Sequence, residues 1–194
     1  MNLPNILTLA RVVLTFVTAA LLLADASYLP TAAFIIYTVG GITDWFDGYI
    51  ARKCGIVTTF GKFMDALSDK IMVVTMFMTL FALNLYEGWT IFALVCAIVS
   101  MAREFYISGV RMLAAKSGVV IAAETVGKYK AAFQMYSIGA TIFAFAARSD
   151  FAQIDTWLYN FAFYSGIITL GISTLLSIVS GLQYSVKYSS LLRD

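Results

Sequence analysis

Asp44-Trp45-Phe46-Asp47-Gly48-Tyr49-Ile50-Ala51-Arg52, then eight residues, then Gly61-Lys62-Phe63-Met64-Asp65-Ala66-Leu67-Ser68-Asp69: this stretch sets four carboxylates into a chain otherwise poor in charge. At 100° per residue, Asp44 and Asp47 fall about 60° apart on one helix face, and Asp65 and Asp69 about 40° apart on another. The segment from Gly55 to Thr59 reads as a turn joining two antiparallel helices, so all four carboxylates can converge. Counting from Pro30, fourteen residues without a charge precede Asp44. They span about 21 Å of helix, against a hydrocarbon core about 30 Å thick. Asp44 is therefore expected just inside the membrane boundary. An apolar run from Ile71 to Leu85 after Asp69 mirrors it, and one from Trp89 to Met101 precedes Arg103-Glu104.

The surrounding composition decides what kind of chain carries these acids. Of 194 residues, 61% are apolar or aromatic and 12% charged. That is too little charge for a water-soluble globule, and the apolar blocks recur along the whole length. We expect an all-α polytopic membrane protein, one domain over residues 1–194, with six transmembrane helices around a cytosol-facing polar cavity. The blocks place the spans at about 5–24, 30–52, 62–85, 89–115, 124–147 and 157–184. With the N-terminus inside, twelve of the thirteen basic residues fall on the inner side, Arg11, Lys116 and Lys130 among them, and only Arg148 outside. The positive-inside rule thus puts both termini in the cytosol. The first 26 residues also have the outline of a signal peptide ending at Ala24-Asp25-Ala26, but no basic residue precedes Arg11.

Composition also narrows the chemistry. Thirteen Lys and Arg against eleven Asp and Glu give a net charge of +2 without a basic run, which argues against a nucleic-acid partner. The chain has no His, so acid–base and metal chemistry must rest on carboxylates. Cys54 follows a basic pair and Cys96 lies in an apolar run, an arrangement unlike a disulfide staple. Four carboxylates at partial membrane depth repel one another unless cations neutralise them. Oxygen-only ligands favour Mg²⁺ or Mn²⁺, and two such ions are the usual means of holding a phosphoryl group between attacking and leaving oxygens. Gly48 and Gly61 would let a ligand approach the backbone, and Arg52 offers a planar fork for phosphate.

The residues read D-x2-D-G-x2-A-R-x8-G-x3-D-x3-D, and on that motif the chain resembles the CDP-alcohol phosphatidyltransferase family. The resemblance implies a homodimer of six-span subunits in the bacterial cytoplasmic membrane, with the active site facing the cytosol. It implies two divalent ions held by Asp44, Asp47, Asp65 and Asp69, the first and third touching both metals. A phosphatidyl group would pass from CDP-diacylglycerol to an alcohol with release of CMP, and Asp69 would be the general base. Gly48, Ala51, Arg52 and Thr58, together with Gly61, match positions around the donor nucleotide and its phosphates. Asn5-Ile6-Leu7-Thr8 resembles the family's N-terminal stretch, which makes Asn5 and Thr8 donor-binding candidates too.

The second half bears on the acceptor. Ala102-Arg103-Glu104-Phe105, Gly109, Arg111, Ala122-Ala123 and Gly127-Lys128-Tyr129-Lys130 resemble the members that use glycerol 3-phosphate. Ala66 and Ala131 depart from the usual Pro and Thr, but neither is a proposed ligand. A dianionic acceptor needs fixed cations, for which Arg103, Arg111 and Lys128 are the candidates, with Arg111 and Lys128 the preferred pair. Glu104 is expected to orient Arg103. Serine, inositol phosphate or phosphatidylglycerol as acceptor remains a variant of the same chemistry. A cation transporter is the alternative of a different class, because intramembrane aspartates also line ion pathways.

Overall fold

A computed structural model describes the backbone of residues 3–24, 26–54, 59–116, 125–151 and 155–188; the side chains of 3–5, 44–54, 59, 60, 62 and 116 fall outside the description. The described elements are six helices, with no strand among them: α1 (Leu3–Leu23), α2 (Leu29–Cys54), α3 (Thr59–Ala82), α4 (Thr90–Lys116), α5 (Thr125–Asp150) and α6 (Thr156–Lys187). Each expected span coincides with one helix. Helices α1, α4 and α6 are long and apolar enough to cross a bilayer, and α2 carries a shorter apolar stretch, Leu29–Thr43. Helices α3 and α5 fall short of that measure, their N-terminal portions carrying Asp65, Asp69 and Lys70 in one case and Lys128, Lys130 and Gln134 in the other.

Buried apolar residues such as Met76, Phe77, Leu80, Ile138 and Leu170 are accompanied by an apolar surface and by buried hydroxyls. Large apolar side chains such as Ile6, Val13, Phe16, Ile91, Met112, Leu175 and Val186 are exposed, whereas Ser68, Ser100, Ser137, Ser173, Ser177, Thr18 and Thr141 are buried. Small and hydroxyl residues let helices approach closely where lipid already covers the apolar faces. Several hydroxyls satisfy themselves on the preceding turn: Thr15 donates to the Arg11 carbonyl at 2.9 Å, Thr18 to Leu14 at 2.8 Å and Thr79 to Thr75 at 2.8 Å. The architecture is that of a multi-pass, all-α membrane protein.

Residues group into two compact units. The first comprises 1–86 and 138–164, and so holds α1, α2, α3, the second half of α5 and the start of α6. In it, α1 packs against both α2 and α3. Phe34 meets Phe143 with ring centroids 5.2 Å apart, and a Cβ on Gly139 would stand 3.2 Å from the Tyr37 ring, so the glycine permits a close α2–α5 approach. The N-terminus of α2 is capped from a distance. Asp150 accepts the backbone N–H groups of Tyr28 at 3.0 Å and Thr31 at 2.9 Å, and the Thr31 hydroxyl at 2.5 Å. Tyr28 adopts a left-handed φ of 65° immediately before the helix. A carboxylate here also meets the positive end of the helix dipole. At its other end, α3 closes with Asn84 at φ 51°; Leu85 N–H reaches the Leu80 carbonyl at 3.0 Å and Asn84 N–H that of Phe81 at 3.0 Å. This pair of bonds is a Schellman cap, and Asn tolerates the left-handed position it requires.

The second unit comprises 87–137 and 165–194, with α4, the first half of α5 and most of α6. Close helix approaches recur here. A Cβ on Gly171 would lie 3.3 Å from Phe92, and the Ser137 hydroxyl donates to the Gly166 carbonyl at 2.8 Å. Cys96 is a free, buried thiol; the side chain of Cys54 lies outside the described residues.

Candidate active site

Two charged groupings stand out, one in each unit. The acidic one is built on α3. Thr59 to Ala82 is helical, so Gly61, Asp65 and Asp69, four residues apart, lie along one stripe. Asp65 and Asp69 are open, each with 56% of its side chain exposed. Behind them lies Arg11 of α1, with 4% of its side chain exposed. Its Nη1 stands 2.9 Å from Asp69 Oδ1 and 3.5 Å from Asp65 Oδ1. Two carboxylates four residues apart thus converge on one nitrogen, which requires both to lean toward α1.

Helix α1 turns Arg11 inward because its buried stripe is polar. Thr8, Arg11, Thr15 and Thr18 are buried at spacings of three and four residues, while Ile6, Leu9, Val13, Phe16 and Val17 face outward. Thr8, a donor-binding candidate, therefore shares a helix face with the arginine. Sequence reasoning weighed Arg11 as an inner-side charge and in the signal-peptide outline, and missed this placement. The signal available was the threonine spacing around it.

Asp44, Asp47, Gly48, Ala51 and Arg52 lie on the last three turns of α2, but their side chains are outside the described residues, as is that of Asn5. Thr58 lies outside the described residues altogether. Among the described residues no group of three His, Cys, Asp or Glu surrounds a metal position. The two described aspartates nevertheless suit a hard divalent ion, since they offer only carboxylate oxygens, converge on one point and are open opposite Arg11.

The basic grouping belongs to the second unit. Arg103 of α4 is almost enclosed. Its Nη1 lies 3.1 Å from Glu104 Oε1, its Nη2 donates to Ser180 Oγ of α6, and it passes beside Gly127 of α5 and Gly181 of α6, with each would-be Cβ 3.5 Å from it. Its Nε is buried without a hydrogen-bond partner. Glu104 also receives Lys130 Nζ at 2.7 Å, and Lys130 keeps only 3% of its side chain exposed. One carboxylate therefore ties cations from two helices, and Lys130, read from sequence as a topological charge, is the most enclosed of them. Arg111 takes a different partner: its Nη2 donates to the Tyr184 hydroxyl at 2.9 Å, with the guanidinium 5.7 Å from that ring's centroid. Lys128 is exposed. Arg103, Arg111 and Glu104 thus lie on one helix with different neighbours, and the Arg103–Glu104 contact expected from sequence is present.

Comparison with known proteins places the chain in a family. The CDP-alcohol phosphatidyltransferase family matches residues 1–177. A protein of Haemophilus influenzae is 35% identical, with 98% of this chain and 96% of the relative covered. One of Bacillus subtilis is 32% identical (96% and 94%), and one of Escherichia coli K12 30% identical (94% and 92%). All three are named CDP-diacylglycerol–glycerol-3-phosphate 3-phosphatidyltransferase. Since the family match takes in both the aspartate stretch and the basic grouping, the chain belongs to the CDP-alcohol phosphatidyltransferase family.

Proposed function

We propose that this protein transfers the phosphatidyl group of CDP-diacylglycerol to sn-glycerol 3-phosphate, giving phosphatidylglycerophosphate and CMP. The observation that carries the reading is the similarity, over nearly the whole chain, to relatives named for that reaction. Family membership also favours an enzyme over a cation transporter.

The family is divalent-metal dependent in general. For this chain we assign two Mg²⁺ or Mn²⁺ ions to Asp44, Asp47, Asp65 and Asp69. Bound there, such ions would neutralise the pyrophosphate and the charge developing on phosphorus. Asp69 takes the proton from the primary hydroxyl of glycerol 3-phosphate, whose oxygen forms the new bond to the phosphatidyl phosphorus as the bond to CMP breaks in line. Arg52 supports the donor phosphates; Asn5, Thr8, Gly48, Ala51, Thr58 and Gly61 contact the rest of the donor headgroup. Arg111 and Lys128, with Arg103, receive the acceptor's phosphate, for which fixed cations are the natural partners. The acyl chains remain in the bilayer, which fits charges that stop partway along α2, α3 and α4.

The reading extends to residues 1–194 as one catalytic domain working as a homodimer in the bacterial cytoplasmic membrane, with termini and a polar cavity on the cytosolic side. The test is a panel of acceptors. Purified protein is given CDP-diacylglycerol and Mg²⁺ with glycerol 3-phosphate, serine, inositol phosphate or phosphatidylglycerol, and the lipid product is identified by mass spectrometry. Phosphatidylglycerophosphate as the main product is expected; preference for another alcohol would overturn the acceptor assignment while leaving the chemistry.

A further inference from the structure

We propose that Arg11 is a resident counter-cation of the metal site: it holds Asp65 and Asp69 together when no ion is bound, and its charge weakens the hold of that site on divalent ions. The inference rests on the assignment of those aspartates as metal ligands. Its observations are the convergence of both Oδ1 atoms on one Arg11 nitrogen and the opposite exposures of the partners, with the guanidinium enclosed and the carboxylates open.

That arrangement differs from a structural ion pair, in which both partners gain by being shielded together. Here the cation forms a floor and the acids a rim. Arginine cannot relieve its burial by losing a proton, so its positive charge is permanent. The two aspartates can therefore offset it in every state of the site, and they gain most from it when ions are absent and two carboxylates one helical turn apart would otherwise repel. A divalent ion arriving from the open side meets acids already aligned, and also meets the repulsion of the arginine. A charge within several ångströms of a divalent ion outweighs the modest ordering of two short side chains, so the net effect of Arg11 is to loosen the ion.

The experiment compares wild type, Arg11→Gln, which keeps hydrogen-bond donors but removes the charge, and Arg11→Lys, which keeps the charge. Mn²⁺ binding is measured by paramagnetic resonance of free Mn²⁺, and thermal unfolding is followed in EDTA and in saturating Mn²⁺. R11Q is expected to bind Mn²⁺ about tenfold more tightly than wild type. It should lose thermal stability in EDTA and regain most of it with Mn²⁺, while R11K stays within about threefold of wild-type affinity. Unchanged or weaker Mn²⁺ binding by R11Q would overturn the inference. So would an equal loss of stability with and without Mn²⁺, or failure of R11Q to fold even in Mn²⁺, because either result makes Arg11 a clamp between α1 and α3. Absence of Mn²⁺ binding by wild type would instead overturn the metal assignment, and this inference with it.

Discussion

The acidic grouping on α3 and the basic grouping around Arg103 invert one another. In the first, among the described residues, one enclosed cation faces two open carboxylates, with two more aspartates nearby in sequence on α2. In the second, one described carboxylate, Glu104, is shared by two enclosed cations, with Arg111 about two turns further along α4. Among the described residues the first set is mainly acidic and the second mainly basic, which suits the divalent ions and the phosphate proposed for them. A near-zero net charge over the whole chain conceals this because it sums the two.

The comparison can be broken most forcefully at Asp69. Replacement by Asn removes the proposed base, and CMP release should fall by at least about a thousandfold, while Mn²⁺ binding persists through the remaining carboxylates. Near-normal turnover would remove Asp69 from the chemistry.

The next largest effect is expected at Glu104. Replacing it with Gln removes the negative charge that Lys130 and Arg103 share, which should cost about 2–3 kcal/mol in thermal or denaturant unfolding. Adding Lys130→Met should recover much of that loss. If E104Q alone is as stable as wild type, the basic grouping is not held together by its shared carboxylate.

Arg111 sharpens the contrast in a different way. It is bound to a neutral partner, the Tyr184 hydroxyl, so Arg111→Met should change little in stability. It should raise KM for glycerol 3-phosphate about tenfold or more, leaving KM for CDP-diacylglycerol within about twofold. Equal increases in both would argue against a dedicated acceptor contact.

Asp150 supplies the smallest effect and a control, because its charge is met by the α2 terminus rather than by an ion. Burial works against its charge, but the bonds from Thr31 and Tyr28 prevail and hold its carboxyl below the ordinary range. A carboxyl lowered on folding contributes stability above its unfolded value, near pH 4, and that contribution disappears as pH falls through the lower folded value. Asp150→Asn should therefore cost about 0.5 kcal/mol at pH 7 in unfolding experiments, and the two proteins should converge under strongly acidic conditions. A gap that is constant with pH would show that the charge is not what Asp150 contributes.

The helices were legible because lipid-facing apolar runs are long and separated by charge or turn residues. Their ends were less so. The expected third span begins at 62 and the sixth ends at 184, whereas α3 begins at Thr59 and α6 runs to Lys187. Hydropathy stops at the membrane boundary, while backbone hydrogen bonding continues through polar residues beyond it. The family was legible because its aspartate motif is written in local spacing. Arg11 was not, since its partner Asp69 lies 58 residues away and an isolated arginine near an inner helix end already satisfies topology. Lys130 and Glu104, 26 residues apart on separate helices, escaped for the same reason.

The central claim is that the four aspartates serve phosphatidyl transfer to glycerol 3-phosphate. Its most direct test is CMP release from CDP-diacylglycerol by the purified protein, measured with and without glycerol 3-phosphate, in Mg²⁺ and in EDTA. The account predicts release only when acceptor and divalent ion are both present; release undiminished in EDTA, or none with both present, would contradict it.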